Sequence, residues 1–404
     1  MKKPKIRFKG FTETWEQRKL NDISEVRDGT HDSPKYQNTG HPFVTSKNIK
    51  DGFINYDDIQ FISDEDFNEI NKRSKVDVND ILMGMIGTIG NTALIRTEPD
   101  FAIKNVALIK DTKQINYLYL YHFLHSPFIG KQLSSGMDGG TQKFVSLGNV
   151  RNLDIVYPSE VEQIKLGEYF DHLDHLITLH QRKCENLKKL KKFMLQKLFP
   201  QNGESVPKIR FLGFTDTWEQ RKLGEICSRV QGNDGRMELP TLTISAANGW
   251  MKQEDRFTGN IAGKEQKNYT LLHKGELSYN HGNSKLAKYG TVFSLQTYEE
   301  ALVPRVYHSF KVEIGSADFI EYFFATKMPD RELRKLISSG ARMDGLLNIG
   351  YDDFMGIKMM FPSVLEQDKI AEYFRAFDHL IALHQSKCDN LKEVKEYMLQ
   401  NMFI

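Results

Sequence analysis

Cysteine is scarce in this chain. Cys184, Cys227 and Cys388 are the only three among 404 residues, odd in number and far apart. That rules out a dense disulfide framework and predicts reduced thiols in a cytoplasmic protein. Long apolar runs are missing as well: no stretch approaches the roughly 18–20 residues that would span a bilayer, so no membrane partner is expected. The segment "MKKPKIRFKGF" at the amino end is basic but lacks the apolar core of a secretory signal. Nor is one charge in excess. The chain has 55 Lys and Arg against 53 Asp and Glu, a net charge of +2. A protein that grips nucleic acid by bulk charge carries a clear surplus, so any such contact here must come from local patches or from a more basic partner.

Nucleotide-binding and methyl-transfer signatures are also lacking. There is no Asn/Asp-Pro-Pro-aromatic loop and no glycine fingerprint opening a strand–helix unit. "GNIAGKEQ" (259–266) has neither the glycine spacing of a phosphate loop nor a Ser or Thr after Lys264. No catalytic residue is assigned.

What is present is the composition of a globular protein, 40% hydrophobic, 27% charged and 11% aromatic. A single core rarely grows past roughly 250–300 residues, so at least two domains are expected. The organising fact is a repeat. "PKIRFKGFTETWEQRKLNDI" (4–23) returns as "PKIRFLGFTDTWEQRKLGEI" (207–226), with 16 of 20 positions identical. The segment 157–199 returns as 361–403 with 25 of 43 positions identical. Two long copies do not make a solenoid. They make a duplicated architecture with an internal pseudo-twofold.

Between the repeats lie two segments, about 24–156 and 227–360, that share few residues yet follow one plan. Each has short β-branched or alternating runs ("HPFVTSKNI", "LPTLTISAANGW") and a glycine-punctuated centre ("NDILMGMIGTIGNTALI", "KGELSYNHGNSKLAKYGTVFSL"). Each continues with an apolar strand candidate ("FAIKNVALI", "ALVPRVYHSFKV"), a short helical stretch and a Gly-rich loop opening with "SSG". Both read as mixed α/β domains with a strong β core.

The long repeats read as helices. Phe170, Leu173, Ile177, His180, Cys184, Leu187, Lys191, Met194 and Leu198 follow alternating steps of three and four, a heptad seam. The second copy matches with Phe374, Phe377, Ile381, His384, Cys388, Leu391, Lys395, Met398 and Met402. A helix of about 38 residues runs nearly 57 Å. The expected fold is thus α/β (α+β): two globular heads separated by two long antiparallel coiled-coil helices. The domains are 1–156 with the short repeat 4–23, the helix 157–200, then 201–360 with the repeat 207–226, and the helix 361–404.

These parts, in this order, resemble the specificity (S) subunit of type I restriction-modification systems along essentially the whole chain. The words that carry the resemblance are "PKIRFxGFTxTWEQRKL" before each variable segment and "PSxxEQxKxxEYF…DHLIxLHQxKCxNL" after each. "DGTHDSP" (28–34), "SKNI" (46–49) and "MIGTIGN" (85–91) resemble one class of that family's recognition domains. The resemblance implies a non-catalytic subunit. Each variable segment would be a target recognition domain reading one half of a split, asymmetric double-stranded DNA sequence. The helices would act as a ruler and dock two methyltransferase (M) subunits, and two restriction/translocase (R) subunits would complete the complex. AdoMet, ATP and Mg²⁺ would belong to those partners and no cofactor to this chain. Half-sites about one helical turn apart lie roughly 34 Å from each other, which two readers at fixed spacing would match.

One asymmetry stands out. "QRKCENLKKLKKFMLQK" (181–197) carries seven basic residues and one acid, whereas "QSKCDNLKEVKEYMLQN" (385–401) balances at three and three. The two presumptive docking surfaces are not electrostatically equal.

Candidate DNA-reading residues follow from base and phosphate chemistry: Arg and Lys for guanine, Asn and Gln for adenine, Ser, Thr and Tyr for phosphate. In the first head these are Lys35, Tyr36, Lys47, Asn48, Thr141, Gln142 and Lys143. In the second they are Asn233, Arg236, Tyr279, Asn280, Asn283, Lys285 and Arg342. The segment 24–150 sums to −3, 13 basic against 16 acidic residues, so the free chain is expected to bind DNA feebly. Spacer and docking candidates are Phe170, Leu173, Ile177, Leu187, Phe374, Phe377, Ile381 and Leu391. Trp15 and Trp218 are expected to pack where each head meets the helices.

Two other chemistries are weighed. Pro99-Asp100 with Asp111-Thr112-Lys113 fits the loose pattern of a metal-dependent nuclease, in which two carboxylates share a metal, but the pattern is permissive and loop residues explain it. His180/Cys184 and His384/Cys388 sit four apart on helical faces and resemble half-sites for zinc, but buried cysteines also pack as small hydrophobes. No metal site is assigned. A coiled-coil scaffold that never reads DNA is the remaining alternative.

Overall fold

In the computed structural model, residues 3–50, 52–139, 143–201, 203–257, 263–282, 284–337 and 346–404 are described. The chain divides into two compact units, Met1–Gln181 with Gln385–Ile404, and Arg182–His384.

The first unit is built on a four-stranded antiparallel sheet in the order Val26–Asp28, Val106–Ile109, Ile81–Gly84, Thr92–Leu94. The two central strands are unbroken apolar runs because both sheet faces are covered, and alternate side chains serve different cores. Ile81, Met83, Ala107 and Ile109 enter one cluster with Tyr119, Phe123 and Phe170. Leu82, Val106 and Leu108 enter another with Val44, Ile49 and Ile103. The run "FAIKNVALI", expected as one strand, is split at Asn105, whose φ is +53°. Ala102–Lys104 pairs in parallel with His41–Thr45 in a three-stranded sheet, while Val106–Ile109 pairs with Ile81–Gly84. A left-handed residue is tolerated here because Asn carries little steric penalty in that region.

The second unit repeats the sheet with the same strand order: Cys227–Arg229, His308–Val312, Leu277–Asn280, Thr291–Ser294. Its outer layer differs. Two separate pairs, Leu242–Ser245 with Gly249–Lys252 and Thr270–His273 with Glu300–Val303, stand in place of the three-stranded sheet. In each unit the word EQRK forms an exposed strand, paired to Asp154–Tyr157 in the first and to Lys358–Phe361 in the second.

The long repeats are helices, Glu160–Lys197 and Val364–Met402. Their starts are fixed by a buried glutamine, Gln163 or Gln367, whose amide donates to the carbonyl of Pro158 (2.9 Å) or Pro362 (3.1 Å). Within each unit the two helices pack antiparallel, and each unit is closed by the end of the helix from the other repeat. In the first, Lys395 Nζ donates to Asp174 (2.5 Å) and Phe403 stacks on Phe170 at 5.1 Å. In the second, Lys191 donates to Asp378 (2.5 Å) and Phe199 lies 6.1 Å from Phe374. The short repeat is clamped in both units by a bidentate pair with 2.7 Å contacts, Arg7 to Glu162 and Arg210 to Glu366, with each glutamate fully buried. Trp15 and Trp218 pack as expected, buried beside Tyr119 and Phe199 respectively.

Candidate nucleic-acid interface

The first head brings three sequence-distant words into one hydrogen-bonded loop cluster. In "DGTHDSP", Gly29 lies so close to strand Ala102–Lys104 that an added Cβ would stand 2.4 Å from the carbonyl oxygen of Ile103. Asp28 accepts from Arg73 (2.6 Å) and pairs with His31 Nε2 (2.9 Å), while His31 Nδ1 faces Asn105 Oδ1 at 2.7 Å. The Asn105 amide oxygen and then the Asp28 carboxylate hold the His31 ring above the ordinary histidine value. In "SKNI", Ser46 Oγ donates to the Asn105 carbonyl (2.8 Å) and accepts from Met85 N (3.1 Å). In "MIGTIGN", Thr88 Oγ1 donates to the Ser46 carbonyl at 2.5 Å. Val145 N then donates to Met85 O (2.9 Å), and Ile86 bridges to Phe144. Loops 28–36, 46–48, 85–88, 104–105 and 143–145 thus form one cluster.

The predicted residues divide on this frame. Lys35, Tyr36, Lys47 and Lys143 are exposed on it. Asn48 is not available as a reader: it is buried, its Oδ1 accepts from Thr45 N (3.0 Å) and Oγ1 (2.8 Å), and its Nδ2 donates to the Asn55 carbonyl. Thr141 and Gln142 lie outside the described residues. Asn105, Ser46 and Lys104, which donates to Ser33 Oγ at 2.5 Å, hold the cluster together and were missed. Ser46 lay within the word SKNI, and the signal for Asn105 was an Asn inside a largely apolar run.

In the second head Lys285 is exposed. Tyr279 is a core residue instead: it is buried, stacks on Phe354 at 4.3 Å, and its hydroxyl donates to the Tyr289 carbonyl (2.7 Å). Asn280 braces its own loop, accepting from Gly282 N (3.0 Å) and donating to the Ile244 carbonyl (3.2 Å). Asn233 likewise donates to the carbonyls of Arg236 and Gln266. Arg236 is engaged by Glu300 through two contacts (2.7 and 3.0 Å) and by Asp234 (2.8 Å). Hydrogen bonding to Glu300 holds its guanidinium pKa above the ordinary range. Asn283 and Arg342 lie outside the described residues.

On the helices Phe170, Leu173, Ile177, Phe374 and Phe377 are buried, and Ile381, Leu187 and Leu391 are half-buried. Leu187 and Leu391 pack on the aromatic cores of their units. These residues build the seam, and burial removes the first five from any docking surface. Other apolar residues face outward, and one set of them is duplicated: Leu179, Val394 and Tyr397 in the first unit, Leu383, Leu190 and Phe193 in the second.

Asp100 pairs with His41 Nδ1 (2.6 Å) and Asp111 with Lys113. Among the described residues no group of three or more His, Cys, Asp or Glu is placed to hold a metal ion, and no helix is long and apolar enough to cross a membrane. Cys184 and Cys388 are buried.

An α/β head closed by a pair of antiparallel helices, present twice in one chain, is a known fold. It is shared with the S subunit of a type I restriction-modification system from M. genitalium, at a TM-score of 0.66 and 13% identity, covering 100% of this chain and 99% of that one. Residues 12–189 match the type I restriction modification DNA specificity domain. In sequence it is 27% identical over 229 residues to a putative type I restriction enzyme specificity subunit, MjaX, of Methanocaldococcus jannaschii, covering 52% of each protein. It is 22% identical over 194 residues to the MjaVIII specificity subunit of the same organism, covering 46% of this chain and 45% of that one. The chain spans about half the length of the curated relatives it matches. By domain, repeat and fold it resembles a type I specificity subunit.

Proposed function

We propose that the chain is the non-catalytic DNA-recognition subunit of a type I restriction-modification complex. Each head reads one half of a bipartite, asymmetric duplex target. The helices set the spacing and dock two methyltransferase subunits, and two restriction/translocase subunits join them. AdoMet, ATP and Mg²⁺ chemistry then resides in those partners, and the chain works in the cytoplasm.

The observation that carries this reading is the contrast between what is repeated and what is not. The Arg–Glu clamp, the Lys–Asp pair, the aromatic closure and the outward apolar residues recur in both units. The loops at the sheet ends do not. Sockets of matching build suit two copies of one partner, and unlike loops suit two different half-sites. On the first head, Lys35, Tyr36, Lys47 and Lys143 supply phosphate and base-edge contacts, joined by Thr141 and Gln142. On the second, Lys285 does so with Asn283 and Arg342. Leu179, Val394 and Tyr397, and their counterparts Leu383, Leu190 and Phe193, supply the docking contacts.

Replacing the first variable segment by that of a chain with a different target tests the reading. One half of the methylated sequence should change while the other half and the spacing persist. An unchanged target would leave the scaffold alternative standing.

A further inference from the structure

The loops of the two heads differ, but the place where the chain crosses from the outer layer into the four-stranded sheet is built alike. In the first head the crossing is Lys104–Asn105, between strands Ala102–Lys104 and Val106–Ile109. In the second it is Pro304–Tyr307, between Glu300–Val303 and His308–Val312. Each crossing carries one cation, Lys104 or Arg305. In each, the carbonyl of the next residue is held by a side chain: Asn105 O accepts from Ser46 Oγ at 2.8 Å, and Val306 O faces His281 Nε2 at 2.8 Å.

The backbone on either side of each cation is fixed. Lys104 bridges to Thr30, whose N–H donates to the Ile103 carbonyl at 3.0 Å. In the second head the ring of Pro304 restricts the chain just before Arg305. Tyr307 N closes a turn on the Pro304 carbonyl at 3.0 Å, and the buried Tyr307 hydroxyl meets Thr243 Oγ1 at 3.0 Å. His281 in turn accepts from Leu347 N at 2.8 Å through its own carbonyl, so the crossing is tied to the loop after Leu277–Asn280 and to the segment after Leu346. A cation on a backbone held in place loses less freedom when it meets a ligand.

The two charges are also left uncancelled. Lys104 Nζ donates to the Ser33 hydroxyl at 2.5 Å, and Arg305 is exposed. Among the described residues neither has a carboxylate partner. Other arginines of the heads do: Arg73 is paired with Asp28 at 2.6 Å, and Arg236 with Glu300 at 2.7 Å and Asp234 at 2.8 Å. A cation that recurs while the loops around it vary suits the part of a duplex that does not change with sequence, the phosphate backbone.

We propose that Lys104 and Arg305 are equivalent phosphate contacts, one in each head, which fix the head's register on the duplex and carry no sequence information. The role rests on the function proposed above and adds to it a pair of residues distinct from the loop readers.

The test measures binding of the full chain, together with the methyltransferase subunit proposed as its partner, to two duplexes. One bears the motif that the complex methylates and the other has random sequence. Arg305→Met should weaken binding to both by a similar factor and lower the slope of log K against log salt by about one. Its deficit should therefore shrink about three-fold between about 50 and 200 mM salt, while the methylated motif stays the same. Lys104→Met should behave alike, the double variant should lower the slope by about two, and Arg305→Lys should keep the slope of the unsubstituted chain. An unchanged slope for Arg305→Met overturns the contact. So does a methylated motif that relaxes at one base pair, the mark of a base reader. If the unsubstituted complex binds the two duplexes equally, the proposed reading of DNA fails instead, and the slopes still decide the contact.

Discussion

Replacing Phe403 by Ala should destabilise the first unit and spare the second, although residue 403 follows the whole of the second unit in sequence. The Phe403 ring is fully packed, 5.1 Å from Phe170, 5.5 Å from Phe123 and 5.6 Å from Tyr119. Truncating a buried Phe costs about 3–5 kcal/mol, because the lost transfer energy is joined by that of the cavity left behind. For a unit of roughly 200 residues each kcal/mol moves the midpoint about 2–4 °C, so a fall of roughly 6–20 °C is expected. The mirror substitution is Phe199→Ala. That ring is surrounded by Phe319 at 5.4 Å, Phe323 at 5.5 Å and Trp218 at 6.0 Å, and its loss should strike the second unit alone. The assay is thermal unfolding followed by hydrogen exchange at two reporter helices, Tyr117–Phe123 and Ala317–Ala325. If Phe403→Ala exposes the second reporter before the first, or costs under about 1 kcal/mol, the reciprocal closure is wrong.

Three further outcomes follow from the same packing. Arg210→Met strands the buried Glu366 carboxylate and should cost about 3–5 kcal/mol in chemical denaturation, whereas the double variant Arg210→Met/Glu366→Met should recover much of it. His122 is buried, and burial foremost lowers its ring well below the ordinary value, while the same cause takes His125 to about 4. Both rings are neutral in the folded unit and charge on unfolding, so the first unit should lose stability as pH falls from about 6.5 toward 4. His122→Tyr, which copies the Tyr322–Asp378 hydrogen bond (2.8 Å) of the second unit, should stabilise the first by about 1 kcal/mol and flatten that dependence. Finally, a fragment of residues 1–203 contains one head and the helix end that completes the other. Light scattering should find it as a dimer, and a monomer would count against the closure.

Much of the architecture was legible because duplication writes packing twice. The helices expected at 157–200 and 361–404 appear as Glu160–Lys197 and Val364–Met402, since a seam of Phe, Leu, Ile and Cys at steps of three and four admits no other regular structure. The site was less legible, because a polar residue's role depends on what the fold sets beside it. Asn48 and Tyr279 have the chemistry of readers, yet local geometry turns one into a cap and the other into a core ring. Asn105 has no motif at all, and its left-handed backbone moves the chain from one sheet to another. The outward triads Leu179, Val394, Tyr397 and Leu383, Leu190, Phe193 became visible only once the buried side of each helix was known.

The central claim is that two unlike heads direct one kind of chemistry to a split DNA sequence. Co-expressing the chain with the methyltransferase subunit proposed as its partner in a methylation-deficient host, and sequencing the modified adenines, tests this most directly. The account predicts a single motif of two different half-sites separated by a fixed run of undefined base pairs. A soluble, intact complex that leaves the DNA unmethylated, or methylates one continuous or symmetric sequence, would contradict it.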